Sequence, residues 1–144
     1  MRAALVSAAL VVLVAAGCGS DDPPKATAVV VERRAITDAE RSALSHDDGH
    51  DPLECDEFHA AMWDYGAPSD SEAGREPEDA LVDAIDDLDG QVPATGWVEL
   101  RDDTDRIFVI EDDGQFLASV EVSGVPARGI WRHQQAFACP DLGE

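Results

Sequence analysis

The sequence contains no asparagine, one lysine and one tyrosine in 144 residues. Without Asn there is no N-glycosylation sequon and no Asn-Gly hairpin turn. Ten basic residues stand against 31 acidic ones, a formal net charge of -21. No basic patch is present and the long-range field repels phosphates, so nucleic acid is not expected as a partner. Aromatic residues make up only 6% of the chain. A domain with so few large side chains needs some other source of stability.

Catalytic motifs are missing as well. The chain has no GxSxG, no P-loop, no Rossmann glycine pattern, no CxxC and no HExxH. Reading Gly49, Gly90 or Gly114 as the glycine of an EF-hand puts Leu44, Ile85 or Val109 in the first ligand position, which cannot bind calcium. Paired acids such as Asp102 with Asp103 and Asp112 with Asp113 fall where turns are expected. The expectation is a protein that is not an enzyme.

What the chain does have begins at its start. "MRAALVSAALVVLVAAGC" carries one positive charge at Arg2, an apolar run from Ala3 to Val14, and small residues before Cys18. This is the order of a secretory signal, and the run is too short to span a bilayer as a permanent helix. "VAAGC" resembles the lipobox of bacterial lipoproteins, although Ala15 stands where a leucine is more typical. The resemblance implies cleavage before Cys18 and a diacylglycerol, with palmitate, on its sulfur. The alternative is an ordinary signal peptide cut near Ala16. Cysteine count favours the lipoprotein: of Cys18, Cys55 and Cys139, one would be left over in an exported chain. A lipid on Cys18 leaves Cys55 and Cys139 to form a disulfide in an oxidising compartment. Expected localisation is therefore the outer face of the cytoplasmic membrane, held there by the lipid anchor.

Three segments follow from this reading: a signal peptide over 1–17, a lipidated cysteine with a polar tether over 18–54, and a folded domain over 55–144. "GSDDPPK" reads as a flexible spacer, Val29 to Val31 as a possible short strand, and Thr37 with Glu40 as a capping box opening a short helix over Asp38 to Ser45. Glu57 to Tyr65 suits a strand better than a helix. The clearest helix is "PEDALVDAIDDLDG", with Pro77 at its first position, Gly90 at its stop, and Leu81, Ala84, Ile85 and Leu88 on one stripe. Asp86, Asp87 and Asp89 crowd its negative end and call for an explanation.

From Gly96 the pattern alternates with period two through "WVELR", "RIFVI", "FLASVEVS" and "IWRHQQAFAC". With Asp113 and Gly114 at the centre of a hairpin turn, Ile110 faces Leu117, Val109 faces Ala118 and Ile107 faces Val120. Ile107, Val109, Phe116, Ala118, Val120 and Val122 then share the face that the helix covers. In the last strand, Trp131, His133, Gln135 and Phe137 point inward and Arg132 and Gln134 outward. Trp63, Trp97 and Trp131 are expected in the core. The fold class expected is α+β: an antiparallel sheet of about four to five strands, one main helix packed on one face, and a disulfide staple.

Together, "CDEFHAAMWDYGAPSDSEAGREPEDAL", "GWVELRDDTDRIFVIEDDGQFLASVEV" and "GIWRHQQAFAC" resemble small actinobacterial lipoproteins of unknown function. In those, a cysteine and a "DY" segment precede a "TPEEAL"-like helix start, several strands, and a tryptophan strand that ends in cysteine. Glu76 stands where that pattern has a helix-capping threonine. The resemblance implies a shared scaffold and brings no catalytic residues with it.

One stretch suggests a metal. In "SHDDGHDPLEC", His46 and His50 lie four apart, but Gly49 and Pro52 oppose the helix that would bring them onto one face. With Asp51 or His59 as a third ligand they form a loose Zn or Cu site, the alternative reading of the chain as a metal-binding protein or metal-dependent hydrolase. The leading expectation remains a lipid-anchored, non-enzymatic envelope protein, binding or structural in role, whose partner is an unknown envelope protein or a cationic ligand.

Overall fold

The computed structural model describes residues 27–45, 53, 55–67, 69, 71, 75–103, 105–140 and 142. Along the chain these form β1 (Val29–Ala35), α1 (Asp38–Leu44), β2 (His59–Met62), α2 (Pro77–Asp87), β3 (Thr95–Arg101), β4 (Asp105–Asp112), β5 (Gln115–Val125), a 3₁₀ turn (Pro126–Arg128) and β6 (Ile130–Ala138). The strands make one six-stranded sheet in the order β1-β3-β4-β5-β6-β2.

This corrects the expected fold class. Among the described residues the molecule is mostly sheet: six strands rather than four or five, mixed rather than antiparallel, with two short helices. The added strand is β1, which runs parallel to β3 with Arg33 opposite Glu99. A parallel partner needs a long crossover and leaves no local turn to betray it. Residues 29–45, on the tether side of the expected boundary at Cys55, thus supply an edge strand and a helix to the sheet. In α1 the capping box forms as expected: the Thr37 backbone N–H donates to Glu40 Oε2 at 2.9 Å, and the Glu40 N–H donates to Thr37 Oγ1 at 3.2 Å.

The β4–β5 hairpin turns on Asp113 and Gly114, both at positive φ (50° and 79°), the two-residue turn whose twist suits adjoining strands. Beyond it the expected register fails. Asp112 faces Gln115 and Glu111 faces Phe116, but Ile110 faces Ala118, so Leu117 is an extra residue on β5. One inserted residue reverses every later side chain. Phe108 and Ile110, not Ile107 and Val109, accordingly share the α2 face with Ala118, Val120 and Val122, while Phe116 points the other way. A second bulge lies between β5 and β6, where Glu121 faces Gln135 and Val122 faces His133, leaving Gln134 extra. It splits the expected inward row: Trp131 packs on the α2 side and Phe137 on the opposite side.

Both faces of the sheet are therefore apolar. Ala80, Leu81, Ala84, Ile85 and Leu88 of α2 cover one, over Trp97, Phe108, Val120 and Trp131. Trp97 is fully buried and donates its indole N–H to the Pro93 carbonyl at 2.9 Å, which satisfies the one polar atom it takes inside. Leu44 of α1, Leu53 and Phe58 cover the other face, over Leu100, Val109 and Phe137. Gly124 faces Trp131 across β5 and β6, and a β-carbon there would come within 2.8 Å of the indole.

A disulfide joins Cys55 to Cys139 with Cα atoms 5.9 Å apart. It ties the start of β2 to the end of β6 just outside their antiparallel pairing of His59 with Ala138. The cross-link spans 84 residues, for which loop-closure entropy suggests about 4 kcal/mol. Urea denaturation with and without reductant should show a loss of that order on reduction, and the Cys55→Ser, Cys139→Ser double variant should match the reduced protein.

Candidate functional site

Two polar clusters lie on the α2 side of the sheet, and both arise from side chains that β-strand alternation places under the helix. The first is built on Glu99. It shares its face of β3 with Trp97 and Arg101, and it is 1% exposed. Arg101 lies directly opposite Arg106 on β4, a pairing of like charges that is unfavourable without a counterion. Glu99 supplies it. Its Oε1 accepts from Arg101 Nε at 3.1 Å and lies 3.4 Å from Arg106 Nε, while its Oε2 accepts from Arg101 Nη2 at 3.1 Å.

A third guanidinium arrives from β1. Arg33 donates from Nε to Glu99 at 2.9 Å and from Nη2 to Glu78 of α2 at 2.7 Å. The hydrogen bond and charge of Glu78, and after them those of Glu99, raise the pKa of Arg33. Arg106 is fixed from below by the carbonyls of Asp102 and Asp105. Its guanidinium lies over the Trp131 ring, 5.1 Å from the centroid. Arg75, paired with Asp83, closes the rim. Arg75, Arg101 and Arg106 line a cavity of about 330 Å³ with Glu76, Glu78, Glu99 and Trp131 on its walls.

The second cluster is centred on His133, which the Gln134 bulge leaves on the helix side and which is 4% exposed. Its Nε2 lies 2.6 Å from Tyr65 Oη and 3.2 Å from Asp87 Oδ2. A proton on Nε2 faces both oxygens. The Trp63 ring meets the imidazole edge-on at 4.2 Å, and Arg132 lies over the Tyr65 ring at 5.3 Å. Burial lowers the His133 pKa; Asp87 and then Asp83 pull it back and Arg75 opposes them. Burial also raises the Tyr65 phenol, aided by the charges of Asp87 and Asp83. The cluster holds a neutral imidazole and a neutral phenol at neutral pH, a hydrogen-bonded lock between β6, α2 and the chain leaving β2.

It also explains part of the acidic crowding at the end of α2. Asp87 is bound to His133, and Asp89 adopts φ 47°, the left-handed conformation that Asp tolerates better than most residues. At the other end Glu76, in the place of a capping threonine, donates its backbone N–H to Asp79 Oδ2 at 2.9 Å.

Of the residues singled out from sequence, Cys55 and Cys139 are brought together by the disulfide. Cys18, His46, His50 and Asp51 lie outside the described residues. His59 is exposed on β2, at the edge of the sheet. Among the described residues no group of three or more His, Cys, Asp or Glu side chains is placed to hold a metal ion. Among them, too, no helix is long and apolar enough to cross a membrane. The Glu99 cluster was not anticipated. Its visible trace is "WVELR", where Glu99 and Arg101 have the same parity as buried Trp97.

Comparison with known proteins finds no matching family model, no matching curated protein and no matching solved structure.

Removing the carboxylate shared by three guanidiniums takes its ion-pair partner from the largely buried Arg106, which is 18% exposed. Glu99→Gln should cost about 3 kcal/mol in urea denaturation, whereas Arg101→Gln, at a half-exposed guanidinium, should cost less than about 1 kcal/mol. Equal losses would show that the carboxylate is not the hub. For His133 the folded-state pKa lies below the unfolded one, so the unfolded chain binds more protons as pH falls through about 6.5. The stability advantage of wild type over His133→Gln should therefore be full above that pH. Melting temperatures taken between about pH 7.5 and about pH 5 should show it shrinking.

Proposed function

We propose that the protein is an exported envelope protein, anchored by lipid on Cys18 to the outer face of the cytoplasmic membrane, that binds a partner rather than catalysing a reaction. The observation that carries this reading is the disulfide. Cys55 and Cys139 are consumed by each other, and Cys18 is the remaining cysteine of three, placed directly after an apolar run and small residues. A structural disulfide belongs in an oxidising compartment, to which a leader of this kind directs a chain. One attached diacylglycerol with a further acyl chain gives durable anchoring.

The likeness of the Cys55–Cys139 region to small actinobacterial lipoproteins supports the same reading. A net charge of -21, or about -22 once Arg2 leaves with the leader, favours a basic surface on an envelope protein or another cationic ligand as the partner. On this reading the spacer after Cys18 holds the domain off the bilayer, and the sheet enters the chain at β1.

Cells expressing the wild type should incorporate radiolabelled palmitate into this protein, and cells expressing Cys18→Ser should not. The variant should also leave the membrane fraction. Equal labelling of the two proteins sinks the anchor.

A further inference from the structure

We infer that a groove on the face of the sheet away from α2 is a docking site for a lysyl or arginyl side chain presented by a partner protein. The site deepens the partner-binding part of the proposed function and rests on it, but not on the anchor. Its floor follows from strand register. Ile107 of β4 faces Glu121 of β5, Glu121 faces Gln135 of β6, and Gln135 faces Met62 of β2, so four side chains form one row across four strands. In the adjoining row Val109 and Phe137 lie under Leu44, Leu53 and Phe58. Of the Ile107 row only Ile107 packs into that cluster. Over the rest a cavity of about 420 Å³ opens between the end of α1 and Met62. Met62 is 75% exposed, more than any other large apolar side chain among the described residues.

The second support is charge. Glu121 accepts from Gln135 Nε2 at 2.5 Å, and Asp105 accepts from Ser123 Oγ at 3.0 Å. Both carboxylates line the groove, and among the described residues neither has a cation within ion-pair distance. An amide and a hydroxyl satisfy lone pairs but leave the negative charge in place. The one base on the lining, Arg41, is already paired at 2.8 Å with Asp102 outside it. Two acids against one paired base make the groove net negative, complementary to a cationic head.

Walls and dimensions select the form of the cation. Leu44, Ile107 and Met62 place apolar surface beside the two acids, which suits a charged head on an alkyl arm. A metal ion would lack a third carboxylate or imidazole there. From Glu121 to Met62 is two strand spacings, about 10 Å, the reach of an extended lysyl or arginyl side chain whose backbone stays outside. β2 is the edge of the sheet, so a partner segment has access over Met62. A small amine without such an arm would reach the acids and leave Met62 uncovered.

Isotope labelling of the methionine methyl groups in the full-length protein, held in a non-ionic detergent, reports on the groove by NMR. Met1 and Met62 are the two methionines, and Met62→Leu assigns the signal. At about 0.15 M salt, acetyl-Gly-Lys-Gly-amide should shift the Met62 methyl resonance saturably with a Kd of about 1 mM. Affinity should fall about tenfold in Glu121→Gln and in Asp105→Asn. It should stay unchanged in Glu111→Gln, which removes the same charge outside the groove. No saturable shift, equal binding of the peptide acetylated on its lysine, unchanged affinity in both groove variants, or an equal loss in Glu111→Gln would overturn the site. Equal binding of ethanolamine would overturn a peptide side chain as the occupant, and displacement by calcium ions at lower concentration than the peptide would overturn an organic cation. Palmitate labelling of Cys18 is unaffected by any of these results, so anchor and groove stand or fall separately.

Discussion

An extra residue in a strand is unpaired on one side only, and in this protein the carbonyls of both such residues carry the ladder on to the neighbour on the other side. Leu117 O accepts the backbone N–H of Cys139 at 2.8 Å, and Gln134 O accepts that of Trp63 at 3.0 Å. The first bond seats the end of β6 where the disulfide forms. The second continues the pairing of β2 beyond Met62 and carries Trp63 and Tyr65 over the helix side of the sheet. Because each bulge also reverses the side-chain parity of its strand, these two residues decide which faces receive Phe116, Trp131 and His133. Buried backbone groups must find partners, and here that requirement organises one entire edge of the sheet.

The other edge is organised by charge. A carboxylate as enclosed as Glu99 is unfavourable unless its lone pairs are met. Three guanidiniums from β1, β3 and β4 meet them. Their planar, weakly hydrated heads tolerate this half-buried setting better than ammonium groups would, which gives a physical meaning to the strong excess of arginine over lysine. The same contacts fasten β1, which has no hairpin to hold it, to the body of the sheet and, through Glu78, to the first turn of α2.

Much of this architecture could be read in advance, and the boundary follows the range of the interactions. Pro77, the apolar stripe of α2 and its glycine stop are local, as are the Asp113–Gly114 turn and the Thr37 capping box, and all of them formed. The pairing of Cys55 with Cys139 came from counting cysteines. The parallel neighbour of β1 was not legible, because nothing near Val29 points to Thr95. Nor were the bulges, since Leu117 and Gln134 resemble any other strand residue. An error of one residue at Leu117 reassigned a whole row of β4. The arginine cluster on Glu99 then stayed hidden for a simple reason: Arg33 and Glu99 are 66 residues apart, and without β1 in the sheet they have no cause to meet.

The disulfide divides the molecule into a ring and a tail. Residues 55–139 form the ring, and β1 and α1 lie on the tail, joined to it by hydrogen bonds, apolar contacts and ion pairs without a covalent clasp. Peeling β1 away would leave the ring closed and still cross-linked, but it would remove Arg33 from Glu99 and expose the β3 edge. The pairs of Arg33 with Glu78 and Glu99 consequently form the seam at which tail meets ring. Anything that changes the balance of charge in the seam therefore changes how firmly the tail is held.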